Sequence, residues 1–436
     1  MFEAIGRRRV MTFVVAALAT LALAAGAMVA MAAEDTDAGV SDARTAAKGK
    51  GSGTRDVLAV SNNWDGTVDL VDPKSFERLK RLNVVPDRQE RETEIATNPV
   101  DLAFFLAIRT QIGENNDQLA DDAFTSPDGR FIYVSRPSFK DVVALDMDTE
   151  EIVWRLEVDG QRSDHMAISE NGKRLLVSAS TANKVHVIDT EEGEFVDEFE
   201  SGDSPHENNF SKDGERIFHA SIGMVYTPLD DPSFDTSKGD RYFQIVDADS
   251  MEILKRLDMG QVLEDAGYPD MSAAVRPMTL SPDERYVYFQ VSFFHGFIEY
   301  DLDTDNVRRV ALLPQSEEAR TTPREDYLLD SAHHGITMNP KGTKLCIAGT
   351  MSDYAAMVTR STLRHRIIEL DTDTDGEAKP YWSTSSEDGR YCFVSISGED
   401  RVAVLSFDKE KEVESIPVGN HPQRMRTGKV QRQIVH

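Results

Sequence analysis

The sequence predicts an all-β chain, a seven-bladed β-propeller of four-stranded blades, and three observations carry that expectation. A turn of the SPDG type occurs six times between residues 126 and 389, as SPDG, SENG, SKDG, SPDE, NPKG and SEDG. Each copy sits between short runs of β-branched and apolar residues punctuated by Gly, Asp and Asn, the pattern of strands joined by tight turns. Finally, the repeat begins partway through a unit and ends on the piece that this unit lacks, as a closed ring of blades requires.

In chain order, residues 1–33 read as a signal peptide. Arg7-Arg8-Arg9 precedes a long uncharged apolar run, and Ala30-Met31-Ala32 fits a small-x-small cleavage site. An uncleaved anchor is the alternative and would be the protein's contact with a membrane, since about 20 apolar residues span a bilayer. In either case the body is expected to be exported, to a periplasmic, extracellular or cell-surface location. Residues 34–55 are polar, small and free of aromatics, and read as a flexible linker.

VLAVSNNWDGTVDLVDPKSFERLKRLNVV (57–85) is a unit without its innermost strand. Clear complete units follow at 122–158 and 165–201, and looser ones begin at 208, 277, 335 and 383. GNHPQRMRTGKV (419–430) then supplies the missing inner strand, so that the C-terminus completes the first blade and no sheet edge is left at the seam. The propeller is expected to span 56–430, with 431–436 as a tail.

GRFIYVSRP…VVALDMDT and VLAVSNNWDGTVDLVDP resemble the YVTN-repeat, YncE-like β-propellers of exported bacterial proteins. The resemblance covers essentially all of 56–430 and implies the fold. It implies no single activity, because members of that family bind or process unlike things.

Composition excludes one class of partner. With 48 basic and 76 acidic residues the formal net charge is −28, the wrong sign for displacing counterions from nucleic acid. Cys346 and Cys392 read as central strands of different sheets. Because packed sheets lie about 10 Å apart and a disulfide needs Cα atoms within about 7 Å, two buried thiols are expected.

In a four-stranded blade the first and third turns lie on one face of the disc, and these are uniformly short. The long segments 86–119 (with a helix near VDLAFFLAIRTQIG), 222–240, 261–273, 315–330 and 351–365 are all assigned to the other face. Long loops gathered on one face point to a built-up binding surface, including one for a protein partner.

The inner strands line the central channel, and their first residues reach its mouth on that face. There the chain places Asp121-Asp122, Asp164-His165, His206-Glu207, Arg276, His333-His334, Tyr381-Trp382 and His421. Half of the ten histidines fall at these positions. The expected ligand-binding set is Asp164, His165, His206, Glu207, Arg276, His333, His334, Tyr381 and His421, with His165, His206, His334 and His421 as metal ligands. Imidazole suits copper or zinc, with carboxylates as further or supporting groups. Arg276 among imidazoles would instead suit a small anion.

The leading expectation is therefore a propeller that binds a small molecule or metal ion at a His-rich channel mouth. A metal-dependent oxidoreductase or lyase using the same histidines is one alternative, and a protein-binding scaffold is another. The scaffold predicts that the histidines diverge or that neighbouring side chains fill the space between them.

DTDTDG (371–376) opens like a calcium loop but has Trp382 where the bidentate Glu belongs, so Asp as a turn former is the expected role, as in DLDTDN (301–306). His186, His219 and His365 read as ordinary, His295 as a secondary site candidate, and Phe293, Phe294 and Phe297 as packing. RMRTGKVQR reads as the closing strand and its overhang.

Overall fold

The computed structural model describes residues 53–225, 232–327, 329, 331–370 and 378–435. The signal segment 1–33, linker residues 34–52 and the DTDTDG motif lie outside the described residues.

Seven four-stranded antiparallel sheets form the ring. Blade 1 is built from both ends of the propeller: its last strand in sequence, β28 (Pro422–Gln431), pairs with β1 (Thr54–Asn62), followed outward by β2 (Thr67–Val71) and β3 (Arg78–Asn83). The other blades are consecutive. Blade 2 holds β4–β7 (122–157), blade 3 holds β8–β11 (163–200), and blade 4 holds β12–β15 (205–258). Blade 5 holds β16–β19 (275–312), blade 6 holds β20–β23 (336–369), and blade 7 holds β24–β27 (380–417).

Local chemistry sets each first hairpin. In blade 2 the Ser126 hydroxyl accepts from the Phe131 backbone N–H at 2.9 Å and donates to Asp128 at 2.6 Å. Ser211 with Arg216, Ser281 with Tyr286 and Ser386 with Tyr391 repeat the same backbone bond at 2.9–3.0 Å. Gly129 takes φ +68°, and an added Cβ there would lie 2.7 Å from the Val430 backbone. That turn can thus press against the closing strand only as glycine.

The core is divided among the blade interfaces. Each neighbouring pair encloses its own cluster of buried side chains, such as Val57, Leu70, Ile132 and Val143 between blades 1 and 2. Strands that meet a neighbour on both faces read as continuous apolar runs, for example DVVALD at 141–146, which is buried throughout.

The segment after β3 forms two helices, α1 (Arg88–Thr97) and α2 (Pro99–Gln111), the second capped by Asn98 with Pro99 in its first turn. They are fastened to blade 2 by buried ions: Arg136 pairs with Asp141 at 2.7 Å and Asp87 at 2.6 Å, and Arg91 lies 3.3 Å from Asp141. Two shorter helices, α3 (Met259–Asp265) and α4 (Glu317–Thr321), lie in the connections after blades 4 and 5.

Two expectations are corrected. Segment 351–365 is not an insertion, because it contains β22 (Tyr354–Thr359) and the turn to β23 (His365–Glu369). DTDTDG therefore falls in the connection between blades 6 and 7, not in a hairpin turn, and the acidic run at 371–376 misplaced the boundary. The cysteines are also bonded: Cys346 on β21 (Lys344–Gly349) and Cys392 on β25 (Tyr391–Ile396) form a disulfide with Cα atoms 6.6 Å apart. The 10 Å spacing applies to stacked sheets, whereas blades fan out from an axis and their inner strands converge.

Candidate site at the channel mouth

The inner strands β8 (Ser163–Ile168), β12 (Pro205–Phe210), β24 (Pro380–Ser385) and β28 bring their second and third residues to the axis. His165, His206 and His334, from blades 3, 4 and 6, are 0%, 4% and 1% exposed. Their ring centroids lie 3.7 Å (165–206), 6.4 Å (165–334) and 6.1 Å (206–334) apart. Tyr381 stacks on His334 at 4.0 Å, and Trp382 lies 5.7 Å from His165 and 5.9 Å from His334.

His165 is held at both ring nitrogens. Its Nδ1 lies 2.6 Å from Glu207 Oε2, and Arg424 Nη2 lies against Nε2. A guanidinium only donates, so Nε2 is the acceptor and Nδ1–H donates to Glu207. A carboxylate behind a histidine in this way fixes its tautomer and raises its basicity. His206 Nδ1 is buried with no hydrogen-bond partner among the described residues.

Burial, followed by the Arg424 cation, holds all three imidazoles well below the ordinary histidine value, so they are neutral. Burial also pushes the Glu207 carboxyl up to about 7 and that of Asp121 up to about 6. Lone pairs on neutral imidazoles are what a transition metal requires.

Around this cluster, charges are paired inside the protein. Arg424 donates to Asp121 at 2.5 Å, and Arg426 makes a bidentate contact with Asp122 at 2.8 and 2.9 Å. Arg162 donates to Asp164. Arg426 and Arg424 also lie 4.8 and 5.5 Å from the Trp382 ring.

Three of the sequence candidates, His421, His333 and the secondary candidate His295, are not brought into the cluster. His421, proposed as a metal ligand, stacks on Trp64 at 3.7 Å and takes φ +55° ahead of β28, which turns its ring aside. His333, adjacent to His334, points to the other side of the chain, with its Nε2 3.0 Å from the Tyr354 hydroxyl. Arg276 is buried on β16 (Val275–Leu280), where it donates to Ser292 at 3.0 Å and reaches the cavity beside His206. His295 pairs with the Tyr327 hydroxyl at 3.0 Å and lies 5.4 Å from His333, in a separate group.

Arg424 and Arg426 were missed. The signal was available: Arg424 is the third residue of its inner strand, as His165, Glu207 and Trp382 are of theirs.

No protein-family model matches the chain, and no curated protein matches it. Solved structures do match. Hydrazine synthase from Kuenenia stuttgartiensis aligns with a TM-score of 0.55 at 16% identity, over 69% of this chain and 87% of that one. Dihydro-heme d1 dehydrogenase NirN, in complex with DHE, aligns with a TM-score of 0.48 at 14% identity, over 85% of this chain and 74% of that one. At 16% identity the likeness to hydrazine synthase is one of architecture, and the chain is a seven-bladed β-propeller.

Proposed function

We propose that this chain is an exported, YncE-like propeller that holds a copper or zinc ion at the mouth of its central channel. The ligands are His165, through Nε2, and His206, with His334 as the adjoining third imidazole and Glu207 behind His165 at Nδ1. One observation carries this reading: buried His165, His206 and Glu207 each offer a donor atom, and the three atoms lie within 4.8 Å of one another. The Cys346–Cys392 bond supports the exported location, because disulfides persist in oxidising compartments.

Arg424 stands where a ligand bond to His165 Nε2 would form. Its guanidinium is the resident cation of that nitrogen, and metal uptake there requires it to draw back onto Asp121. This filling of the space is what the scaffold alternative predicts, and the close approach of His165, His206 and Glu207 is what favours the metal.

The test is elemental analysis of protein purified from its native compartment, beside a His206→Ala, His334→Ala double variant. Near-stoichiometric copper or zinc that is lost in the variant is the expected result. A folded wild-type protein that holds no metal and takes none up on titration would remove the proposal.

A further inference from the structure

Next to the histidines a cavity of about 100 Å³ opens at the axis. Five charged side chains line it: Arg276, bonded to Ser292, and four that form two ion pairs, Arg162 with Asp164 and Arg424 with Asp121. Neither pair uses all of its hydrogen-bonding capacity. Arg162 Nε, Arg424 Nε, Asp121 Oδ2 and Asp164 Oδ1 are buried without a partner among the described residues.

Two cationic donors and two anionic acceptors, on residues that line one small space, are therefore unmet. A simple anion would serve the guanidinium groups and face two carboxylates, and a simple cation would do the reverse. A zwitterion serves both. Part of the remaining wall is aliphatic: Ile112, Ile222, Val225 and Leu329, brought in by the long connections of blades 1, 4 and 5.

We propose that this cavity binds a small α-amino acid with an aliphatic side chain. Its carboxylate lies toward Arg162 and Arg424, its ammonium group toward Asp121 and Asp164, and its side chain under the aliphatic wall. This inference does not rest on the metal reading, because none of the four charged groups is one of the proposed ligands.

The experiment is calorimetric titration of the full chain, stripped of metal with a chelator, using L-alanine, acetate and ethylammonium as separate probes. Alanine is expected to bind about tenfold or more tightly than either fragment, a difference of about 1.4 kcal/mol. Asp164→Asn should weaken alanine by a similar factor and leave acetate unchanged. Arg162→Gln should weaken alanine and leave ethylammonium unchanged, and it keeps the test open if the first variant does not fold. Acetate or ethylammonium binding as tightly as alanine, or no binding by any probe to folded protein, overturns the proposal. Metal removal beforehand keeps this outcome separate from that of the elemental analysis.

Discussion

The disulfide between blades 6 and 7 gives the most quantitative prediction. Cys346 and Cys392 are 46 residues apart, so the bond closes a loop of that length in the unfolded chain. The loop-entropy relation gives a loss of about 13.5 cal/mol/K, or about 4 kcal/mol at 25 °C. Both cysteines are fully buried in the same interblade cluster, with Ala355, Val394 and Leu405 around them, so reduction leaves that packing in place and acts through the unfolded state. The assay compares oxidised protein with protein reduced in denaturant and refolded under reductant, following tryptophan fluorescence in guanidinium. With a slope of about 6 kcal/mol/M, the midpoint should fall by about 0.7 M on reduction. Two thiols titrating in denatured, unreduced protein would refute the pairing, and coincident unfolding curves would refute the entropy argument.

Two further predictions concern the channel and its surroundings. Arg424→Gln should tighten zinc or copper binding at least tenfold in a chelator competition, because a unit charge about 4 Å away is worth up to about 4 kcal/mol near a protein surface; equal or weaker binding would show that the guanidinium does not compete with metal. His219 is bonded to Ser201 at 2.7 Å and Asn208 at 2.8 Å, and burial pushes its pKa down to about 3. Because that value lies below the unfolded one, its contribution is complete above about pH 6.5 and is lost as the pH falls toward 3. About 2 kcal/mol should be gone by pH 5, and His219→Gln should flatten that part of a urea-derived stability profile; an unchanged slope would count against the buried neutral ring.

What could be read in the sequence followed from how local its causes are. The Ser126, Ser211, Ser281 and Ser386 turns set their own hairpins through bonds spanning five residues, so the blades were visible without knowledge of their neighbours. The repeat also placed His165, His206 and His334 near the axis, since they stand four, five and five residues ahead of the corresponding turn residues Ser169, Ser211 and Asn339. It failed where register slips by one residue or the backbone turns, at His333 and His421. The cysteines were misjudged because convergence of sheets toward an axis belongs to the whole ring and to no segment of it. Arg424 and Arg426 were read only as part of a closing strand, although Arg424, third in that strand, had the same standing as His165 and Glu207.

The seam in blade 1 has a consequence for how the site comes into being. Six blades can hydrogen-bond from contiguous sequence, but β1 has no inner neighbour until residues 422–431 have been made. The same ten residues deliver Arg424 to Asp121 and His165, and Arg426 to Asp122. A chain stopped short of them would leave a bare strand edge and, at the centre of the disc, acidic groups with no guanidinium to answer them. The channel mouth is thus finished by the closing strand of the ring, and its charge balance distinguishes a closed propeller from one that is folded over six blades alone.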